Sequence, residues 1–532
     1  MIATYKHLTF TMFLLASGLI AGCGASNGDS ADARSTTLDM PIITWATPAA
    51  IAPGASLTST QLNATANVAG SFNYSPAAGT VMSTAGVFTL TATFTPSDYS
   101  KYTTQTATVP LSVLTGGTAV VDFGSAQQTI RGFGVSEAWA GSAMLSAETT
   151  ALYGTSGTNL GLSIMRVRIA PTTWTSSTQT AGTSAWTVEL ANAKAAQSLG
   201  ATIFATPWTP PASMKTNGSI NEGSLSTSSY SDYANYLKAY VNYANSQSVS
   251  LYAVSMQNEP DWNPCNPTTT NDEGPTGADC YESCLWTAAQ MDAWLAGYGS
   301  VLTQGTTPVK LMMPESFYFS QAMSDTALND SAAVGNISII GGHLYGSKPA
   351  YYANAVNKGT DVWMTEHYLK PVSGGATTSI ADAISAAIEI HNSMTVGQYN
   401  AYVWWWPMSS SSSSVQNYLL DSTDTPSYFG YAMAQYARFI RPGYVRYAAT
   451  PTPSTGVYMS AYAGNGRSVI VVVNSNTSTV AFPIQINNQT VTALTPYQTT
   501  SAGSIAQQSL FPVVSNTFTA TLPAQSITTF MQ

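Results

Sequence analysis

The sequence predicts a multidomain protein built from a (β/α)8 TIM barrel, a β-sandwich attached to that barrel, and a separate, smaller β-sandwich near the N-terminal end. Two patterns lead to this fold class. Eight short apolar runs alternate with helical stretches across residues 130–441, and period-two alternation occupies the chain before and after them. The length of 532 residues fits several units, because a single hydrophobic core seldom organises so long a chain.

The predicted catalytic barrel occupies residues 130–441. Between its apolar runs lie patterns such as 230–245, where apolar side chains and tyrosines recur every three or four residues, as on one face of a helix. Active sites of this fold lie at the C-terminal ends of the strands, so functional side chains are expected where the apolar runs end. The eight runs are 130–136, 163–170, 201–208, 251–259, 310–316, 337–345, 361–367 and 401–406.

Residues 41–115 alternate with a period of two between Gly and Pro breaks, which predicts a small β-sandwich. Its Ile43-Thr44-Trp45 opening and its Phe94-Thr95-Pro96 motif resemble bacterial Ig-like repeats attached to secreted proteins. The resemblance implies an Ig-like spacer domain, with a carbohydrate-binding role as the alternative. Alternation returns at 442–532, and we expect this segment to form the side β-sandwich together with 119–129.

The first 23 residues are predicted to be a lipoprotein-type signal peptide. Their apolar stretch at 8–20 is too short to span a bilayer, and it leads into Ile20-Ala21-Gly22-Cys23. Small residues before a Cys resemble the lipobox of bacterial lipoproteins, which implies lipidation of Cys23 and a linker at 24–40. Ordinary cleavage that leaves a free thiol is the alternative. Either route exports the protein, as a lipoprotein at the cell surface or facing the periplasm, or as a secreted protein.

The composition favours a neutral, ring-shaped ligand. Charged residues make up only 8% of the chain, whereas aromatic residues reach 11% with 12 Trp and 29 Tyr. The net charge of −9, without a Lys/Arg cluster, argues against nucleic acid and against an anionic membrane surface. The expected partner is therefore a polysaccharide, and we expect the protein to act as a monomer.

Three cysteines, Cys265, Cys280 and Cys284, fall in one segment. Export to an oxidising compartment favours one disulfide among them, with one thiol left over. A zinc site is the competing interpretation, but no His lies near these residues in the sequence.

Two glutamates end predicted strands on opposite sides of the barrel mouth. The fourth run ends in Gln257-Asn258-Glu259-Pro260, and the seventh ends in Thr365-Glu366-His367. Hydrolysis of a glycosidic bond needs one carboxylic acid to protonate the leaving oxygen and a second carboxylate on the other side of the anomeric carbon. Strand ends four and seven are placed to supply such a pair.

Six ordered motifs resemble glycoside hydrolase family 30, over residues 119–532. This family contains xylanases, glucuronoxylanases, β-1,6-glucanases and glucosylceramidases. The resemblance implies a retaining enzyme without a cofactor or metal ion. The motifs are Arg131-Gly132-Phe133-Gly134, Leu162-Ser163-Ile164-Met165-Arg166-Val167-Arg168, Thr206-Pro207-Trp208-Thr209-Pro210-Pro211, Met214-Lys215, Gln257-Asn258-Glu259-Pro260 and Trp363-Met364-Thr365-Glu366-His367.

By this resemblance Glu259 is the general acid/base and Glu366 the nucleophile, with carboxyl groups about 5 Å apart. Asn258 is expected to bind the 2-hydroxyl of the sugar being cleaved. Glu315, at the end of the fifth run, is expected to line the site without acting as the nucleophile. Arg168 is predicted to steady the Glu366 carboxylate by a charge-assisted hydrogen bond.

Aromatic residues at strand ends are candidates for stacking on the apolar faces of sugars. Strand alternation predicts that, of three consecutive tryptophans, Trp405 points away from its two neighbours. His343 is counted with the substrate-binding residues, and we predict no metal ligands. The aromatic candidates are Trp139, Trp208, Tyr345, Trp404 and Trp406.

The predicted reaction is endo-acting hydrolysis of the β-1,4-xylan backbone. Glucuronoxylan-specific members of the resembled family carry an Arg-containing loop after strand eight, whereas here Pro407-Met408 is followed by six serines. We therefore expect cleavage that does not require glucuronate. The alternatives are a β-1,6-glucanase or glucosylceramidase-like β-glycosidase of the same family, and a non-catalytic carbohydrate-binding surface protein.

Overall fold

The structure, a computed structural model, describes residues 38–175, 183–266, 280–372, 374, 378–408 and 417–532. The predicted signal peptide with Cys23, the first part of the linker and the serines after Met408 lie outside the described residues. In the part of the chain that is described, no helix combines the length and the apolar character needed to cross a bilayer.

The N-terminal unit consists of short antiparallel strands around a small apolar core. Its three-stranded sheet has the order β4-β6-β7, and two further pairs join β1 to β3 and β2 to β5. Leu90, Leu111 and Val113 of the long strands are fully buried in this core, as their alternation predicts. The strands are β1 (Ile43–Thr44), β2 (Ala55–Ser56), β3 (Thr65–Ala66), β4 (Gly70–Ser75), β5 (Val81–Met82), β6 (Gly86–Pro96) and β7 (Gln105–Val113). Strand β8 (Ala119–Thr129) follows.

A closed barrel of parallel strands forms the centre of the molecule, which confirms the predicted TIM barrel. The last strand pairs with the first in parallel, so that the described strands β9 to β16 complete the ring. Apolar side chains from several strands, among them Phe204, Met312 and Trp363, fill the interior and leave the C-terminal mouth for the site. The strands are β9 (Gly132–Ser136), β10 (Ile164–Ile169), β11 (Thr202–Pro207), β12 (Leu251–Ser255), β13 (Lys310–Ser316), β14 (Ile339–His343), β15 (Asp361–His367) and β16 (Ala401–Trp404).

Helices surround this barrel, and their apolar faces follow the spacing seen in the sequence. In the longest of them, Tyr233, Leu237 and Tyr240 are fully buried on one face. The next long helix begins at a capping box between Thr287 and Gln290. The helices are α1 (Ser146–Tyr153), α2 (Thr187–Ser198), α3 (Tyr230–Ser246), α4 (Ala288–Tyr298), α5 (Ser300–Thr303), α6 (Ala322–Asn329), α7 (Ala353–Asn357), α8 (Ile380–Thr395) and α9 (Tyr428–Ala437).

The C-terminal strands form a β-rich side domain that includes β8. Strand β8 pairs with β17 in antiparallel and with β20 in parallel orientation. Strands from both ends of the continuous sheet contribute to one core, so the sheet folds over on itself. Its strands are β17 (Val445–Ala449), β18 (Val457–Gly464), β19 (Arg467–Asn474), β20 (Val480–Asn487), β21 (Ala493–Thr500), β22 (Gly503–Gln507), β23 (Phe511–Pro512), β24 (Thr517–Leu522) and β25 (Ser526–Met531).

Helices α8 and α9 pack against the side domain and fix it to the barrel. Thr529 Oγ1 donates to the Gln435 carbonyl at 2.7 Å, and Gln435 Nε2 donates to Thr499 Oγ1 at 2.9 Å. The ring of His391 in α8 lies edge-on to Tyr458 with centroids 5.6 Å apart, and its side chain is buried. A titratable group therefore lies in the interface between the two units.

We expect His391 to make the stability depend on pH. Burial and the nearby charge of Arg446 lower the pKa of His391 from 6.5 to about 4. Between these values the unfolded chain binds a proton here and the folded chain does not. The free energy of unfolding therefore falls as the pH falls through this window, by about 3 kcal/mol from this group.

The measurement is the thermal unfolding midpoint of the parent and of His391→Gln at about pH 7 and about pH 4. The parent should lose more stability on acidification than the variant. Equal losses would contradict the role of His391.

Candidate active site

Two buried glutamates face each other at the C-terminal mouth of the barrel. Glu259 follows β12, and Glu366 is the last residue but one of β15. One carboxylate oxygen of each, together with a ring nitrogen of His343, lie within 4.8 Å of one another. Both carboxylates border a cleft of about 370 Å³. The two predicted strand ends therefore converge on one space.

Glu366 is held from two sides. Arg166 Nη1 donates to its Oε2 at 2.5 Å, and the Tyr345 hydroxyl donates to its Oε1 at 2.9 Å. Burial raises the pKa of Glu366, while the positive charges of His343 and Arg166 oppose that rise. The two donors fix the plane of the carboxylate, as a nucleophile requires.

Glu259 has a different set of partners. The Tyr281 hydroxyl donates to Oε2 at 2.9 Å, and His343 Nδ1 lies 3.0 Å from Oε1. Two facing lone pairs would repel at that distance, so a proton lies between Glu259 and His343. Burial alone lowers the pKa of His343, but the surrounding carboxylates, Glu366 first among them, raise it to about 9. Glu259 therefore lies beside a group that holds a proton at neutral pH.

Glu315 lies beneath the pair and is fully buried. Thr206 Oγ1 donates to its Oε2 at 2.8 Å, and Arg166 Nη2 lies 3.2 Å from its Oε1. Burial raises its pKa, but the charges of Arg166 and His343 outweigh burial and lower the pKa to about 2. Glu315 is therefore ionised at neutral pH. It does not border the cleft, contrary to the expectation that it lines the site.

The backbone at this end of the barrel adopts left-handed conformations. Glu259 and Glu315 have φ values of 48° and 54°, and the Glu259 amide donates to the Glu315 carbonyl at 2.9 Å. Residues other than Gly adopt this region at a cost, and such positions cluster at functional sites.

Aromatic rings form the walls of the cleft. Trp139, Trp208 and Tyr345, which the sequence predicts as candidate sugar-stacking residues, all border the cleft. Trp139 is the exposed member, with 38% of its surface accessible. The residues that border the cleft are Trp139, Trp208, Glu259, Tyr281, Tyr345, Glu366, Tyr368, Trp405, Trp406 and Asn417.

Comparisons with known proteins identify relatives of this chain. The glycosyl hydrolase family 30 TIM-barrel domain matches residues 179–362. Glucuronoxylanase XynC of Bacillus subtilis strain 168 is 32% identical over 429 residues, which cover 79% of this chain and 92% of that protein. The chain belongs to glycoside hydrolase family 30. The predicted family resemblance is thereby confirmed, and the enzyme is a glycoside hydrolase.

Two solved structures resemble the enzyme over 78% of its length and 99% of theirs. One is the family 30 subfamily 8 xylanase Xyn30A from Clostridium acetobutylicum, with 42% identity and a TM-score of 0.69. The other is a family 30 endoxylanase from Clostridium papyrosolvens C71, with 37% identity and a TM-score of 0.66.

The predicted contact between Arg168 and Glu366 is wrong, because Arg166 makes it. Both arginines lie on one face of β10, but each residue advances the strand by about 3.3 Å, so Arg168 lies one level further out. There it pairs with Glu282 and lies over the Trp139 ring at 5.1 Å. The alternation pattern gives the face of a side chain but not the level at which its partner lies.

The prediction that Trp405 points away from both neighbours is also wrong, and so is the place of Trp404 among the site residues, whereas Trp406 borders the cleft as expected. Trp404 is fully buried in the outer core, where its Nε1 donates to the Asn417 carbonyl at 2.8 Å and its ring packs on Phe429. Trp405 and Trp406 both border the cleft. Strand β16 ends at Trp404, so strand alternation does not extend to the two residues that follow.

Two predicted substrate contacts lie behind the cleft. His343 is fully buried and touches Glu259, so its place is behind the acid/base candidate. Asn258 Oδ1 accepts from Arg166 Nη2 at 2.6 Å, so its amide oxygen is turned toward the buried guanidinium. Neither residue borders the cleft in this structure.

The structure joins Cys265 to Cys280 and leaves Cys284 as a buried thiol, whose pKa burial raises to about 12. The three thiols therefore do not form a zinc site. Tyr281 follows the disulfide directly and reaches Glu259. Sequence reasoning missed Tyr281, and the only signal for it was its position beside Cys280.

Glu259, His343 and Glu366 are close enough to ligate a cation on distance alone. However, metal ligands must be deprotonated, whereas the pKa of His343 is raised and Glu366 is already paired with Arg166. The arrangement fits proton transfer and nucleophilic attack better than metal binding.

We expect Arg166→Lys to lower kcat for glycoside hydrolysis by about 100-fold, because one ammonium cannot hold Glu366 and Asn258 together. Arg168→Lys is the matched control, one level further out on the same strand, and should lose less than about tenfold. Initial rates at saturating substrate give kcat of both variants, and their thermal unfolding midpoints show whether each variant is folded. Equal losses in the two variants would refute the assignment of Arg166.

Proposed function

We propose that the enzyme cleaves internal bonds of the β-1,4-xylan backbone with retention of configuration, using Glu259 as general acid/base and Glu366 as nucleophile. The observation that supports this is the pair of carboxylates in an aromatic cleft, with one oxygen of each within 4.8 Å. Retaining glycosidases hold their carboxyl groups about 5 Å apart, whereas inverting enzymes leave room for a water molecule.

In the first step, an oxygen of Glu366 bonds to the anomeric carbon while the bond from that carbon to the glycosidic oxygen breaks. Glu259 gives its proton to the departing oxygen, so the leaving sugar departs as an alcohol and Glu366 becomes an ester. Arg166 and Tyr345 hold the attacking carboxylate in one plane, which reduces the entropy cost of reaching the transition state.

In the second step, a water molecule gives a proton to Glu259 and its oxygen bonds to the anomeric carbon. The ester bond breaks, and Glu366 leaves as a carboxylate that Arg166 and Tyr345 stabilise. Two inversions at one carbon restore the original configuration. His343, which shares a proton with Glu259, keeps that carboxyl group in position through both steps.

Xylan is supported by the relatives at 42% and 37% identity, which are a xylanase and an endoxylanase. Among the described residues that border the cleft there is no Lys or Arg, and the sequence at 409–416 contains none either. A glucuronate carboxylate bound there would be desolvated without forming an ion pair, which is unfavourable. We therefore propose cleavage without a requirement for glucuronate, although one relative is named a glucuronoxylanase.

The signal segment supports export of the enzyme as a lipoprotein diacylated at Cys23, with the N-terminal β-unit as a spacer. A disulfide between Cys265 and Cys280 fits an oxidising compartment. We further propose that the enzyme acts as a monomer.

The catalytic roles are tested with Glu366→Gln and Glu259→Gln on soluble xylan. Each should lower kcat by at least about 1,000-fold, because the amide can neither attack as a carboxylate nor exchange a proton. Glu222→Gln is the control, since the Glu222 carboxylate accepts from Asn263 Nδ2 and Glu222 is not among the described residues that border the cleft. Reducing-sugar release measures the rates, and NMR of the first product gives its anomeric configuration. Activity of Glu366→Gln similar to that of the parent would rule out Glu366 as the nucleophile.

The substrate is tested on neutral xylan, arabinoxylan, glucuronoxylan, β-1,6-glucan and an aryl β-glucoside. We expect kcat/KM on neutral xylan to lie within about tenfold of that on glucuronoxylan, since no cation borders the described part of the cleft to pair with the uronate. A preference of about 100-fold or more for glucuronoxylan, or for a glucan, would contradict the proposed substrate.

A further inference from the structure

A second cavity of about 250 Å³ adjoins the catalytic cleft and is not used by the proposed reaction. Trp139 and Trp406 border both spaces, so the two cavities share part of their walls. We call this space the side cavity. It is bordered by Glu137, Ala138, Trp139, Ala140, Gly141, Ser142, Met144, Glu148, Trp406, Pro407 and Met408.

Two residues that border the side cavity each carry a buried polar atom without a hydrogen-bond partner. One is Oε2 of Glu137, a residue with only 7% of its surface exposed, and the other is Nε1 of Trp406. The other Glu137 oxygen accepts from Asn192 Nδ2 at 3.3 Å. Buried polar groups are normally paired, so an unpaired acceptor and an unpaired donor beside one cavity indicate a ligand that can do both.

The electrostatics of the residues that border the side cavity favour an uncharged ligand. Burial, together with the charges of Glu148 and Glu189, raises the pKa of Glu137 to about 8, so it is largely a neutral acid at pH 7. No Lys, Arg or His is among the described residues that border the cavity. A uronate would be desolvated there without a cation, whereas a sugar hydroxyl can both donate and accept.

We propose that the side cavity binds an uncharged sugar unit of the same xylan chain that occupies the cleft. Trp139 and Trp406 offer their rings to its C–H faces, and Glu137 and the Trp406 indole nitrogen bind its hydroxyls. The unit is either a further xylosyl residue of the backbone or a neutral side chain such as arabinofuranosyl. This inference rests on the proposed action on xylan and extends it to a second binding position.

The test introduces a large side chain into the side cavity by substitution of a glycine at which an added Cβ makes no close contact. A Cβ added at Gly141 has nothing within 4 Å, and Gly141 borders the side cavity. Gly141→Phe is compared with Gly117→Phe, a matched control in which the added Cβ is equally free and which lies outside both cavities. The substrates are linear xylohexaose, an arabinofuranosyl-substituted xylo-oligosaccharide and an aryl β-xylobioside.

We expect Gly141→Phe to raise KM by about fivefold or more on at least one of the two longer substrates, while kcat on the aryl xylobioside stays within about twofold of the parent. A rise with xylohexaose assigns the cavity to the backbone, and a rise confined to the substituted substrate assigns it to a side chain. Glu137→Leu should raise the same KM, and Glu137→Gln, which keeps the shape and hydrogen-bonding capacity of the neutral acid, should not.

Unchanged KM values in Gly141→Phe relative to Gly117→Phe would overturn the inference while leaving the proposed function intact. An equal fall in kcat on all three substrates would also overturn it, since the new side chain would then act on the catalytic pair. A parent enzyme that cleaves none of the three would overturn the proposed function, and the inference with it.

Discussion

The guanidinium of Arg166 is the group on which the catalytic end of the barrel depends. Fully buried, it donates to Glu366 and Asn258, lies 3.2 Å from Glu315 and stacks over the Trp208 ring at 4.4 Å. A buried charge is tolerated only when it is paired, and removing one partner of such a pair typically costs about 3–5 kcal/mol. The cluster is therefore stable only as a whole, which keeps the Glu366 carboxylate in one position.

Strand geometry sorts these groups into two levels. Arg166 and Glu315 lie at the lower level, where ionised groups are shielded from water by the barrel. One level further out, Arg168 and Trp139 form the rim, with Glu282 as their partner. Because electrostatic interactions are stronger where water is excluded, the lower level acts on Glu259 and Glu366 more strongly than the rim does.

Much of this arrangement could be predicted from the sequence, because it follows from local periodicity. The eight apolar runs became the eight barrel strands, and the glutamates at the ends of the fourth and seventh runs met as the fold requires. The depth of a side chain in the barrel could not be predicted, because it depends on the stagger between neighbouring strands. The choice between Arg166 and Arg168 turned on that depth.

Contacts of residues in the loops that follow the strands also could not be predicted from the sequence. The eighth run was predicted to continue to residue 406, whereas β16 ends at Trp404, and the two tryptophans that follow turn to the cleft. Tyr281 reaches Glu259 from a segment tied to Cys265 by a disulfide. Such placements depend on loop paths and on cross-links between distant residues, for which no short-range pattern exists.

The separation of charge from contact surface explains how an enzyme with so few charged residues can act on an uncharged polymer. Aromatic rings border the cleft, while Arg166 and Glu315 lie behind them. A neutral sugar in the ground state therefore meets rings that bind its C–H faces and gains little from the buried charges. In the proposed mechanism, charge appears on the substrate only as the glycosidic bond breaks, and at that point the Glu366 carboxylate held by Arg166 and Tyr345 would stabilise it. Interactions that strengthen only in the transition state raise kcat, whereas the rings account for binding along the chain.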